Sequence, residues 1–263
     1  MNSPPAIALR GVRKSFDGGR TYAVDDVSLE IAPGEFLAII GGSGSGKTTT
    51  LRMINRLIEP DAGDVLIEGQ SAFEAPAHEL RRHMGYVIQG VGLFPHLTIA
   101  ENIAVTPKLL GWSEQDITAR VHELLELVEL APDEYAQRYP AALSGGQRQR
   151  IGVARALAAK PHIVLMDEPF GALDPLTRDT LTEAYRKLHD RLGVTSVMIT
   201  HDVQEALLLA DRLAVMAEGK LLALGTPQEL AHGDVGAHVR DLLDMPRRQA
   251  RRVRERLADT GNG

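Results

Sequence analysis

Gly41-Gly42-Ser43-Gly44-Ser45-Gly46-Lys47-Thr48 fits the pattern GxxxxGK[ST], and the segments on either side of it decide the class of fold. Phe36–Ile40, just before it, is an apolar run of strand length, and TTTLRMINRLI from Thr48 onward carries helical spacing. Strand, glycine-rich loop and helix, in that order, open an α/β nucleotide fold. The glycines let the backbone wind so that successive N–H groups point inward, where phosphate oxygens can accept from them. A helix starting near Lys47 adds roughly half a positive charge at its N-terminus. Lys47 is then expected to reach the β- and γ-phosphates, and the Thr48 hydroxyl to ligate Mg²⁺.

Ile163-Val164-Leu165-Met166-Asp167-Glu168 is the second element. Four apolar residues running into two acids describe a buried strand that emerges at the ligand edge of a sheet. Asp167 is placed to hold Mg²⁺, directly or through water, and Glu168 to orient or deprotonate an attacking water. An ordinary strand ending in acids reads the same way in isolation; the phosphate loop is what favours the chemical reading. Leu143-Ser144-Gly145-Gly146-Gln147 is the third element. Ser144 caps a helix and the two glycines allow close backbone approach, so a second helix N-terminus faces a phosphate. A plain helix start is the alternative, but one chain rarely carries two such devices and the acidic strand together.

Working outward, the turns at Asp17-Gly18-Gly19 and Pro33-Gly34 bracket Val24, Val27, Leu29 and Ile31, which read as strands of a half-buried sheet. Pro60-Asp61-Ala62-Gly63 is a turn into another strand, Val65–Glu68. About residues 90–160 the character becomes helical: Ile117, Val121, Leu124, Leu125 and Val128 form one apolar stripe behind Ser113 as N-cap. Strand signals return at Ile163–Met166 and Val194–Thr200. Between them lies a helix with Asp174 at its N-cap, Pro175 in its first position and Gly193 past its end. Leu213–Ala217 and Leu221–Leu224 flank Glu218-Gly219-Lys220 as a late hairpin. The result is a parallel α/β core interrupted by a helical insertion. No internal repeat is visible.

At 263 residues the chain suits one large domain or a core with an inserted subdomain. Its 29 Lys+Arg against 35 Asp+Glu give a net charge of −6, which argues against a nucleic-acid partner. With no cysteine, a disulfide framework and a Cys-based zinc site are both excluded. The start, MNSPPAIALRG, has no apolar signal region, and no apolar run approaches the roughly 18–20 residues that cross a bilayer. A cytoplasmic chain that meets the membrane only through a partner is expected. Arginines at 247, 248, 251, 252, 254 and 256 mark the tail as a solvated helix face or frayed end, with anionic lipid as the sharper reading.

The combination of GGSGSGKT (41–48), LSGGQ (143–147) and LMDEP (165–169) resembles the ATP-binding cassette (ABC) ATPases over nearly the whole chain. That resemblance implies a P-loop NTPase (RecA-like) core with an N-terminal antiparallel β subdomain and an inserted helical subdomain. Residues 1–240 would be the cassette, its helical part at about 90–160, and 241–263 an Arg-rich tail. ATP and Mg²⁺ are the implied cofactors. The implied ATP contacts are Gly41 through Thr49, Gln89, Ser144, Gly145, Gly146, Gln147 and Asp174, with Phe16 stacking on adenine and Tyr22 as its competitor. Thr48, Gln89 and Asp167 are the implied Mg²⁺ set. Gln89 matches the glutamine linking the metal site to the helical subdomain, and Gly171-Ala172-Leu173-Asp174 the loop that signals across a dimer. His201, at the end of VTSVMIT, matches the histidine on the γ-phosphate and joins Glu168 as catalytic.

Family geometry further implies a homodimer in which Ser144 completes the partner's site. Longer stretches, MINRLIEPDAGDVLIEG, RRHMGYVIQGVGLFPHLTIAENIA and PKLLGW, look like importers of quaternary-amine osmoprotectants: glycine betaine, choline and carnitine. Gly42 and Gly90 depart from residues common in that group. No CBS modules are expected in a chain of this length. A membrane permease would dock beside Gln89 at Leu93, Phe94 and Pro95, and a substrate-binding protein would act only indirectly, which places the chain at the cytoplasmic membrane face. An importer of amino acids or another polar solute is the alternative. Non-transport relatives fit less well, since translation factors carry two cassettes and chromosome-organising members split the cassette with a long coiled coil.

Overall fold

The computed structural model describes residues 4–90, 92–171 and 173–259. β1 (Ile7–Lys14) and β2 (Val24–Ile31) pair antiparallel, with Val24, Val27, Leu29 and Ile31 all buried. Val24 and Val27 lie three apart, so strict alternation cannot bury both. The ladder shifts register near Val12, opposite Val27, and Asp26 beside it adopts φ 56°, features of a bulge that re-aims the strand. β3 (Phe36–Ile40) follows, then α1 (Lys47–Ile54). β4 (Ala62–Ile67) begins three residues before the expected start because Ala62 still pairs with Arg13. Gly63 permits this: a Cβ there would lie 2.4 Å from Gly11 O. With β5 (Gln70–Ser71) these strands form an antiparallel sheet ordered β2-β1-β4-β5.

α2 (Ala77–Arg82) leads into β6 (Met84–Val87), a four-residue edge strand with too little pattern to be read from sequence. The helical insertion comprises α3 (Ile99–Leu109), α4 (Glu114–Leu127), α5 (Pro132–Tyr135) and α6 (Gly145–Leu157). Ser113 caps α4 by accepting from Asp116 N at 3.1 Å, and the expected stripe from Ile117 to Val128 is buried. β7 (Ile163–Asp167), α7 (Pro175–Leu192), β8 (Thr195–Ile199) and α8 (Val203–Leu209) return the chain to the core. β9 (Arg212–Ala217), β10 (Lys220–Gly225), α9 (Pro227–His232) and α10 (Ala237–Asp259) close it. α10 runs through position 241 without a break, its first turns anchored by buried Val239 and Leu243; every residue from Arg247 to Arg256 is exposed.

The second sheet is ordered β10-β9-β3-β8-β7-β6, parallel from β9 to β6 with β10 antiparallel at one edge. Both faces of β3 are covered, which is why all five of its residues are apolar. Phe36, Ala38 and Ile40 face the core shared with the insertion and α7; Leu37 and Ile39 face the core shared with the antiparallel sheet and α1. Parallel pairing brings the C-terminal ends of β3, β6, β7 and β8 to one edge.

Gly85 lets β6 lie against the insertion, since a Cβ there would meet Ala156 O at 2.5 Å. Gly85→Ala is expected to destabilise the chain by about 1–3 kcal/mol in urea unfolding. An unchanged midpoint would show that α6 gives way freely.

Candidate functional site

The loop after β3 has a conformation that only glycine fits at two places. Gly41 sits at φ 152°, where a Cβ would lie 2.1 Å from Met216 O, and Gly46 caps α1 at φ 99°, where a Cβ would lie 2.2 Å from Ala23 O. Inside the loop, Lys47 Nζ donates to Gly41 O (2.9 Å), Gly42 O (2.8 Å) and Ser45 Oγ (3.3 Å). Burial lowers the pKa of this ammonium, while the Glu168 and Asp167 carboxylates raise it. Gly44, Ser43 and Thr49 complete the turn and the first helical residues.

Beside it, Thr48 Oγ1 donates to Asp167 Oδ1 at 3.4 Å. Asp167 is fully buried, and its Oδ2 has no hydrogen-bond partner; Arg52 stands 3.8 Å away. Burial pushes this carboxyl above its ordinary pKa, Arg52 opposes that shift, and Glu168 adds to it. An unsatisfied buried carboxylate oxygen next to a threonine hydroxyl is a fitting donor set for Mg²⁺, which takes oxygen ligands from one or two carboxylates plus phosphates.

Glu168 adopts φ 50°, a left-handed conformation that is strained for a non-glycine residue. Its N–H donates to Ile199 O at 3.0 Å, and its carboxylate is held from both sides: Gln89 Nε2 donates to Oε2 at 3.0 Å, and His201 Nδ1 lies 3.3 Å from Oε1. Gln89 comes from the end of β6 and His201 from the end of β8. Among the described contacts Gln89 reaches Glu168 rather than Thr48 or Asp167. Lys47, Thr48, Asp167, Glu168, Gln89 and His201 thus converge on one edge of the sheet.

Ser144 and Gln147 form a reciprocal cap at the start of α6: Gln147 N donates to Ser144 Oγ (3.2 Å) and Ser144 N to Gln147 Oε1 (2.9 Å). Ser144 and Gly145 are exposed, nothing stands within 4 Å of a Cβ on Gly145, and Gly146 abuts Leu173. No described contact joins this cap to the Lys47 cluster. Asp174 caps α7 by accepting from Thr177 N at 3.0 Å. Ala172, within the loop 171–174, lies outside the described residues.

Phe16 is 66% exposed and Tyr22 41%. Phe16 rides on a loop built by Asp17, whose carboxylate accepts from Arg20 N (3.0 Å), Thr21 N (2.9 Å), Thr21 Oγ1 (2.7 Å) and Ser15 Oγ (2.8 Å). The close approach of Ala23 to Gly46 presses the same hairpin against the phosphate loop.

Several residues of the site went unread in the sequence. Gln149, buried in α6, donates to Pro169 O behind Glu168. Thr200 donates to the buried carboxyl of Glu205, whose pKa burial pushes up to about 7. Asp202 with Glu205 three residues on is a legible helix start, yet Glu205 turns back to Thr200 instead of closing a capping box. A cavity of 620 Å³ opens elsewhere, among Pro33, Arg120, Leu157, Lys160 and Thr195, and includes none of the cluster. No helix among the described residues is long and apolar enough to cross a membrane.

Known proteins resemble this chain over most of its length. Residues 24–171 match the family described as ABC transporter. The choline transport ATP-binding protein OpuBA of Bacillus subtilis is 52% identical over 241 residues, 92% of this chain and 63% of that protein. The glycine betaine uptake system ATP-binding protein YehX of Escherichia coli is 45% identical, over 92% of this chain and 83% of that protein. An ATP-binding cassette solved as a dimer in a post-hydrolysis state, bound to ADP and Pi, superposes with a TM-score of 0.77 at 34% identity, covering 84% of this chain and 98% of its own. The chain therefore spans less than two thirds of the choline relative and most of the betaine one.

The hydrogen bonds to Asp17 hold its pKa at about 2 against an ordinary 3.8. A depressed carboxyl contributes stability that is present above the ordinary value and is lost as pH falls through the folded one. NMR titration of the Asp17 carboxyl is therefore expected to give a midpoint near 2, and the loop carrying Phe16 to loosen only below pH 3.8. A midpoint at the ordinary value would contradict the loop geometry.

Proposed function

The chain belongs to the ABC transporter family, and we propose that it is the ATP-hydrolysing subunit of an importer for a quaternary-amine osmoprotectant of the glycine betaine, choline and carnitine class. One observation carries the hydrolytic part: the Glu168 carboxylate, at the end of the strand that presents Asp167, is held between Gln89 and His201.

In this reading the glycine-loop amides and Lys47 bind the β- and γ-phosphates of ATP. Thr48 and Asp167 would hold Mg²⁺, and Gln89 would join them by turning its side chain away from Glu168. Bound there, the metal neutralises charge on the phosphates. Glu168 orients a water and takes its proton, and His201 steadies that carboxylate and faces the γ-phosphate. Phe16, the more exposed of the two aromatics, stacks on adenine.

Ser144 and Gly145 stand exposed, with no described contact to the Lys47 cluster, which suits a head-to-tail homodimer in which each cap completes the partner's site. Asp174 and its loop would lie along that interface. Phe94, 42% exposed five residues after Gln89, is the apolar knob offered to a membrane permease at the cytoplasmic face. The cargo class rests on the two relatives named for choline and glycine betaine transport.

Glu168→Gln keeps the size and acceptor of the side chain but not the base, so ATP turnover is expected to fall at least about 100-fold with nucleotide binding retained. Wild-type turnover would remove the assignment. Lys47→Ala is expected to lose nucleotide affinity in equilibrium binding, and unchanged affinity would contradict the loop's role. Reconstitution with permease and binding protein should show ATPase stimulation by betaines, choline or carnitine. Stimulation by unrelated amino acids alone would refute the cargo class.

A further inference from the structure

Arg178 joins two parts of the site that the mechanism above treats separately. It lies on the first turn of α7. One terminal nitrogen, NH1, donates to Asp202 Oδ2 at 3.4 Å; the other, NH2, donates to Leu173 O at 3.1 Å. Its Nε is buried without a hydrogen-bond partner, so among the described residues these two hydrogen bonds hold the guanidinium.

Each contact leads into a rigid piece of the site. Asp202 follows His201 directly. Its Oδ1 caps α8 at Gln204 N (2.9 Å) and Glu205 N (3.2 Å), and its own N–H donates to Thr200 Oγ1 at 3.0 Å. Thr200 is in turn bonded to Glu205, and both are buried. His201 therefore projects from a turn with both neighbours tied down, and Arg178 is the tie from outside it. On the other side, Leu173 is buried and its side chain lies against Gly146, where an added Cβ would come within 3.3 Å of it. Leu173 thus abuts the first turn of α6.

We propose that Arg178 is a positioning residue that couples the His201 turn to the Ser144 cap within one protomer. This rests on the ATPase reading above. In a head-to-tail dimer His201 serves one ATP and Ser144 the other, so a shift at one site is passed to its neighbour through a single guanidinium. Lysine cannot replace it: one ammonium lacks the fork that spans Asp202 and Leu173 O together.

The test is the ATP dependence of hydrolysis by the full chain, wild type against Arg178→Ala and Arg178→Lys, alongside equilibrium ATP binding at protein dilutions that keep it monomeric. The wild type is expected to be sigmoidal, with a Hill coefficient approaching two, the number of sites. Both variants are expected to fall to a coefficient of about one while the monomer's ATP affinity stays within about threefold, a split that general loosening would not give. If Arg178→Ala fails to fold, Arg178→Lys decides, because it keeps the charge and the stem. A sigmoidal Arg178→Lys, or a hyperbolic wild type, overturns the coupling and leaves the ATPase reading intact. A wild type that does not hydrolyse ATP overturns both.

Discussion

Everything chemical in this molecule depends on the parallel pairing of β3, β8 and β7. Phe36 pairs with Ser196 and Ile163 with Thr195, and those registers bring three strand ends level at one edge. Each strand then delivers one device there: β3 the glycine loop with Lys47, β7 the acids Asp167 and Glu168, β8 the turn bearing His201. A slip of one residue in any register would exchange the strand's two buried faces and carry its device away from the others. The fully apolar composition of β3 and of the first four residues of β7 matches the burial of both their faces.

The site concentrates local strain and unmet polarity where charge is to be handled. Glu168 holds a left-handed backbone, Asp167 keeps a buried oxygen without a hydrogen bond, and the Lys47 ammonium is folded back onto two carbonyls of its own loop. Each is unfavourable in isolation, by amounts on the order of 1–3 kcal/mol for the strained or unsatisfied groups. A ligand with phosphates and a hard cation would relieve the last two, since phosphate oxygens could accept from the lysine and Asp167 would be a ligand to the cation. The surrounding scaffold is correspondingly well satisfied, as with Asn102, whose amide closes four hydrogen bonds around Phe94, Leu97 and Thr98.

Much of this was legible in the sequence for a physical reason. At Gly41 and Gly46 a side chain would collide with backbone carbonyls, so the motif records steric constraints that no other residue meets. The cap at Ser144 and the N-cap at Asp174 were readable because they act within three residues of themselves. Three features stayed hidden. β6 is four residues long and contains Gly85, so it has neither length nor alternation to announce it. The backbone of Glu168 is set by the sharp turn out of β7, which composition does not encode. The link from Arg178 to Asp202 joins residues 24 apart, and an arginine on the first turn of a helix looks the same in sequence whether it faces water or a neighbouring loop.

The proposed activity requires two copies to close around ATP, each supplying the cap that the other's cluster lacks. Sedimentation of the Glu168→Gln chain with and without Mg²⁺ and ATP tests it most directly. A shift from monomer to dimer on adding nucleotide, reversed when the metal is chelated, is the predicted result. A chain that stays monomeric with saturating nucleotide, alone and beside its membrane partner, would contradict it.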